Sequence, residues 1–95
     1  MTTPRPILIV EDDAALRATL AEQIAEDGDF TADQAESAQE AEEKLMSADA
    51  RYDAVLLDIG LPDGDGRDLC AKLRREGKRM PVIMPAGSSR RSSAR

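Results

Sequence analysis

The chain has 95 residues, with 19 acidic against 13 basic side chains, a net charge of −6, one cysteine and no histidine. That length holds one domain with a modest core, burying about 65% of the unfolded surface. The composition excludes an intramolecular disulfide and a Ser-His-Asp triad, leaves almost no route to a zinc site, and argues against non-specific nucleic-acid binding.

Met1-Thr2-Thr3-Pro4-Arg5-Pro6 leads with no apolar h-region, and no later run approaches the ~20 residues of a membrane helix. The sequence therefore predicts no signal peptide and no membrane span. The lone Cys70 fits a reducing compartment, so the expected location is the cytoplasm.

Ile7-Leu8-Ile9-Val10, bounded by Pro6 and then by acids, reads as a buried strand. Asp12 or Asp13 can cap the helix that follows, from Ala14 to about Asp27, with Leu16, Leu20 and Ile24 on one face. Gly28 stops it. Residues 30–35 form a weaker strand pattern. Ser37 and Glu40 make a capping box for a second helix ending near Ala48, with Ala38, Ala41 and Leu45 inward. Ala54-Val55-Leu56-Leu57 is the second strong strand. Gly60-Leu61-Pro62-Asp63-Gly64-Asp65-Gly66 is dense in turn formers. A third helix spans about Arg67 to Arg75, Gly77 ends it, and Pro81-Val82-Ile83-Met84 is a last short strand. Strands alternating with helices imply βαβ units and a parallel α/β sheet with right-handed crossovers.

In such a sheet the ligand edge lies beyond the C-terminal strand ends. Glu11-Asp12-Asp13 follows the first strand and Asp58 follows the third, so carboxylates from both converge on that edge. Gathering like charges is unfavourable unless a cation neutralises them. The pattern predicts a hard-metal site of oxygen ligands, most simply Mg²⁺, and leaves one carboxylate able to attack a phosphoryl group.

The pieces ILIVEDD at 7–13, VLLDIGLPDGDG at 55–66 and MPVIM at 80–84, in that order and spacing, resemble the receiver domain of bacterial two-component response regulators. The resemblance covers residues 5–84. It implies a flavodoxin-like parallel sheet of order 2-1-3-4, and a phosphoacceptor signalling role without an enzymatic activity of its own. By this resemblance Asp58 is the phosphoryl acceptor and Asp12 a direct Mg²⁺ ligand. Glu11 is the outer carboxylate, and Gly60 lends its backbone carbonyl to the metal. The implied partner is a sensor histidine kinase.

The resemblance also implies departures. A Thr or Ser follows the fourth strand in the family; here Ala86 falls there, with Ser88 and Ser89 the nearby hydroxyls. The family's fifth strand with its Lys and its last two helices have no counterpart, so residues 1–84 read as a partial receiver domain. Residues 85–95, PAGSSRRSSAR, read as a basic, disordered tail. The alternative function is a phosphotransfer-incompetent fragment acting by protein–protein contact alone. An uncovered sheet face and an unpaired fourth strand predict a homodimer or swapped oligomer through the exposed edge. A phosphohydrolase reading is weak, because the position two residues after Asp58 is Gly60 instead of a second acid. A calcium loop starting at Asp63 fails, because Arg67, Asp68 and Arg74 occupy its fifth, sixth and twelfth places. Cys70 reads as a small core residue.

Overall fold

Every side chain from Ile7 to Val10 is buried, and the strand that carries them, β1 (Arg5–Val10), is the one around which the sheet assembles. A computed structural model describes residues 3–84, apart from 49, 59 and 62. β1 pairs in parallel with β2 (Phe30–Ala35) on one side and β3 (Ala54–Leu57) on the other. A short strand, β6 (Val82–Ile83), joins β3, giving the order β2-β1-β3-β6. This is the 2-1-3-4 parallel sheet the sequence predicts. Residues 60–66 add something the turn formers did not announce. β4 (Gly60–Leu61) and β5 (Gly64–Asp65) pair as a small antiparallel hairpin.

Pro6 lies inside β1 instead of bounding it, although β1 is a central strand. Alternation explains this. The Arg5 N–H donates toward β2, to the Asp29 carbonyl, so the Pro6 nitrogen faces β3. The β1–β3 pairing begins only at Ile7 and Ala54, so no ladder bond is lost there.

The helices start where their caps dictate. The Asp13 carboxylate accepts from Leu16 N–H at 3.1 Å and opens α1 (Ala14–Ala25). Ser37 Oγ accepts from Glu40 N–H at 3.1 Å and opens α2 (Ala38–Met46). The return bond of this capping box goes from Glu36 N–H to Glu40 Oε1 at 2.9 Å, one residue earlier than the usual arrangement. Asp65 opens α3 (Gly66–Arg75) by accepting from Arg67 N–H at 2.8 Å. Gly28 and Gly77, at φ 80 and 82, carry the chain out of α1 and α3 in the left-handed region that glycine tolerates. α1 and α2 end about two residues sooner than their patterns suggest.

The two sheet faces are unequal. Leu8, Val10, Val55 and Leu57 pack with Ala41 and Leu45 of α2 and with Leu69 and Leu73 of α3 in one fully buried core. On the opposite face Leu16, Leu20 and Ile24 of α1 are only half-buried. An apolar groove of about 190 Å³ beside them is lined by Ile7, Ile24, Phe30, Ala54, Leu56 and Ile83. Cys70 is half-buried, a correction to its reading as core: it stands on α3 between the buried Leu69 and Leu73 but outside their cluster.

Asp33 ties β2 to its neighbours, accepting from the Tyr52 hydroxyl and from Lys44 Nζ at 3.3 Å. Burial raises the Asp33 carboxyl, but the bonds from Tyr52, Gln34 N–H and Lys44 together outweigh it and hold it below its ordinary value. Burial first, and then Asp33, push the Tyr52 phenol up to about 12 from 10.0. The folded state thus prefers the protonated phenol. Its contribution is complete below the unfolded value of 10.0 and is lost as pH rises through about 12. Urea midpoints at pH 9 and pH 12 should fall further in the wild type than in Tyr52→Phe; parallel falls would show that the phenol contributes nothing.

Candidate metal centre

β1 ends at Val10 and β3 at Leu57, and these two residues are partners in the parallel register. The ladder runs one step past both strands. Asp58 N–H donates to the Val10 carbonyl at 3.0 Å, and Glu11 N–H donates to the Ala35 carbonyl at 3.0 Å. Glu11 and Asp58 are thereby set side by side at the C-terminal edge of the sheet. Both are buried, at 4% and 3% exposure, while Asp12 is exposed. One carboxylate oxygen from each of Glu11, Asp12 and Asp58 lies within 4.8 Å of the other two. The two acidic loops do meet, as the sequence predicts.

Backbone and side-chain bonds hold the first loop in shape. Glu11 Oε2 accepts from Asp13 N–H at 3.0 Å. Arg17 reaches back from α1, donating Nη1–H to the Glu11 carbonyl at 2.7 Å and Nε–H to Gln34 Oε1 at 3.2 Å. Sequence reasoning missed Arg17, since one arginine on a helix carries no motif. Asp13 is spent on capping α1 and lies outside the cluster. Gly60 falls in β4, two residues beyond Asp58. Ala86, Ser88 and Ser89 lie outside the described residues.

The donor set is entirely oxygen, two of the three carboxylates are buried, and all three are close enough to share one ion. This fits a hard divalent cation and suits no soft metal. The same closeness sets three formal negative charges against one another, and burial weakens the screening between them.

The response regulator receiver domain family matches residues 7–95. The chain belongs to that family. Transcriptional regulatory protein TcrA of Mycobacterium tuberculosis is 41% identical over 78 residues, 82% of this chain and 30% of TcrA. Transcriptional regulatory protein ResD of Bacillus subtilis is 37% identical over 83 residues, 33% of its length. The receiver chain thus spans about a third of the length of these relatives. Response regulator TrrA of Thermotoga maritima, solved in complex with Mg(2+)-BeF, superposes with a TM-score of 0.76 at 34% identity, covering 84% of this chain and 67% of TrrA. The fold is the flavodoxin-like receiver fold. Among the described residues its parallel sheet has four strands, and no helix is long and apolar enough to cross a membrane.

Crowded carboxylates should relax when one is neutralised. In EDTA, Asp58→Asn should be more stable than the wild type by on the order of 1 kcal/mol, the scale of a like-charge contact a few ångströms long. A midpoint equal to or below that of the wild type would contradict the electrostatic stress described above.

Proposed function

We propose that this receiver domain accepts a phosphoryl group on Asp58 in a two-component phosphorelay, with Mg²⁺ held by Glu11, Asp12, Asp58 and the Gly60 carbonyl. The observation that carries the reading is the convergence of three carboxylates within 4.8 Å at the sheet edge, two of them buried. TrrA, a neighbour in fold and sequence, was solved in complex with Mg(2+)-BeF, which supports Mg²⁺ as the metal of this reading. The structure of histidine kinase ThkA with TrrA, matched at a TM-score of 0.75 and 31% identity over 90% of this chain and 78% of that one, supports a sensor histidine kinase as partner.

The chemistry follows from the donor set. A bound divalent cation screens the negative charge of the incoming phosphoryl group. An Asp58 carboxylate oxygen attacks phosphorus as the bond to the donor nitrogen, or to the oxygen of an acyl phosphate, breaks. The leaving group departs with that electron pair. The protein contributes position: the β1–β3 ladder fixes Asp58 beside Glu11, and the Arg17 bond to the Glu11 carbonyl steadies the loop.

Acetyl phosphate with Mg²⁺ should add one phosphate to the wild type and none to Asp58→Asn, read by intact mass. Labelling that survives the substitution would refute the assignment. No labelling of a folded wild type would favour the second reading, a fragment that acts by contact alone. Ala86, where the family places a Thr or Ser, is the residue that favours it. Slow labelling fits the first reading, since each missing transition-state contact can reduce the rate about 10²-fold.

The same reading places the chain in the cytoplasm with the kinase, without a nucleic-acid contact of its own. It assigns residues 1–84 to the receiver domain and 85–95 to a basic tail. It also includes a second copy of the chain at the β6 edge, where Ile83 is 49% exposed beside the apolar groove. Sedimentation across a concentration series should show a monomer giving way to a dimer; a monomer throughout would remove that partner.

A further inference from the structure

Asp63 lies five residues beyond Asp58, in the turn between β4 and β5, yet its carboxylate sits on a different element. Oδ1 accepts from Ala38 N–H at 2.8 Å and Oδ2 from Gln39 N–H at 2.9 Å. Ala38 and Gln39 are the first two residues of α2, whose N–H groups have no partner within the helix. Ser37 Oγ takes the third, that of Glu40. The N-terminus of α2 is therefore closed from two directions, by its own cap and by a carboxylate 25 positions further along the chain. The two amides, with the positive end of the helix behind them, hold the Asp63 carboxyl below its ordinary value.

The clamp bears on the segment that follows Asp58. Gly60 pairs with Asp65 and Leu61 with Gly64, so the two short strands of the hairpin are tied to each other. Leu61 is buried in the core, and Asp65 caps α3. A methyl group added at Gly64 would meet Ala38 Cβ at 3.6 Å, so the hairpin lies against the start of α2. Asp63 supplies the polar tie on that side.

We propose that Asp63 is a positioning residue of the metal centre: by bridging to the first turn of α2 it holds the β4–β5 hairpin, and with it the Gly60 carbonyl, in place beside Asp58. The inference rests on the metal-dependent phosphoacceptor reading. It assigns a role to the loop acid that a calcium-loop count rejects and a turn-former count passes over.

The test compares wild type, Asp63→Ala, Asp63→Asn and Ser37→Ala. Ser37→Ala removes a cap from the same helix end with no link to the hairpin, so it reports loss of α2 stability alone. Mg²⁺ affinity, by calorimetry with the metal alone, should fall about 10-fold in Asp63→Ala, the lower end of the loss seen when a residue that orients metal ligands is removed. Asp63→Asn keeps one acceptor oxygen and should fall between. Ser37→Ala should bind as the wild type does. Amide exchange at Gly60, Leu61, Gly64 and Asp65, measured without metal, should quicken in Asp63→Ala and not in Ser37→Ala. Wild-type affinity in Asp63→Ala, or equal losses in Asp63→Ala and Ser37→Ala, would overturn this inference alone. Absence of Mg²⁺ binding in the wild type would overturn the metal reading and this inference with it.

Discussion

The parallel register of β1 and β3 is the constraint on which the site depends. With Val10 opposite Leu57, the residues that follow, Glu11 and Asp58, are delivered to one point of the sheet edge. A slip of one residue would move one acid by about 3.3 Å and exchange the buried and opposite faces of the slipped strand. Both faces of β1 are apolar and buried, so it is the close packing of particular side chains, and not polarity, that resists the slip. Leu8, Val10, Val55 and Leu57 are each at most 1% exposed on the α2–α3 face. Burial of each contributes roughly 1.5–3 kcal/mol, so together they outweigh a like-charge repulsion of a few kcal/mol at the edge. The core thereby places the acidic site at the sheet edge.

Around that ladder, the loops are fixed by polar side chains that cap helices. Asp13 caps α1, Asp65 caps α3, and Ser37 and Asp63 close α2 together. Four helix-opening side chains thus frame the acidic edge. Arg17 anchors the carbonyl of Glu11 from one side, and the hairpin carrying Gly60 approaches from the other. The apolar half of the molecule is less even. The α2–α3 face is closed, while α1 leaves its side of the sheet half-covered, with Ile83 and Phe30 as the exposed large apolar residues among those described. Acidic edge and open groove are therefore separate features: one is set by the ends of strands, the other by the partial cover that α1 gives its face among the described residues.

Much of this was legible from residue order. β2 and β3 carry the bounds their patterns predict, Ser37 with Glu40 announced the start of α2, and the glycines at 28 and 77 marked helix ends. The meeting of Glu11, Asp12 and Asp58 followed from parallel strands alone. What escaped had no local signal. Pro6 belongs to β1 because of which side its nitrogen faces, a property of the neighbouring strand. A hairpin of two-residue strands is too short for any periodicity, so β4 and β5 read as turn. Asp63 and Arg17 act across 25 and 6 positions of sequence, the first through amides that only a folded α2 presents. Cys70 stands between two buried leucines on α3 and is still only half-buried, since being apolar does not fix a side chain's place on the helix face.

The central claim is that the register gathers three carboxylates into one divalent-cation site. Mn²⁺ in place of Mg²⁺, at substoichiometric amounts, reads this directly through paramagnetic broadening of backbone amide signals. The account predicts loss of the Glu11, Asp12, Asp13 and Asp58 amides first, with those of Gly28 and Lys78 at the opposite sheet edge remaining sharp, and no such pattern in Asp12→Asn. Broadening centred on the acidic residues of α2, Glu40, Glu42 and Glu43, with the Glu11 and Asp58 amides sharp, would contradict it.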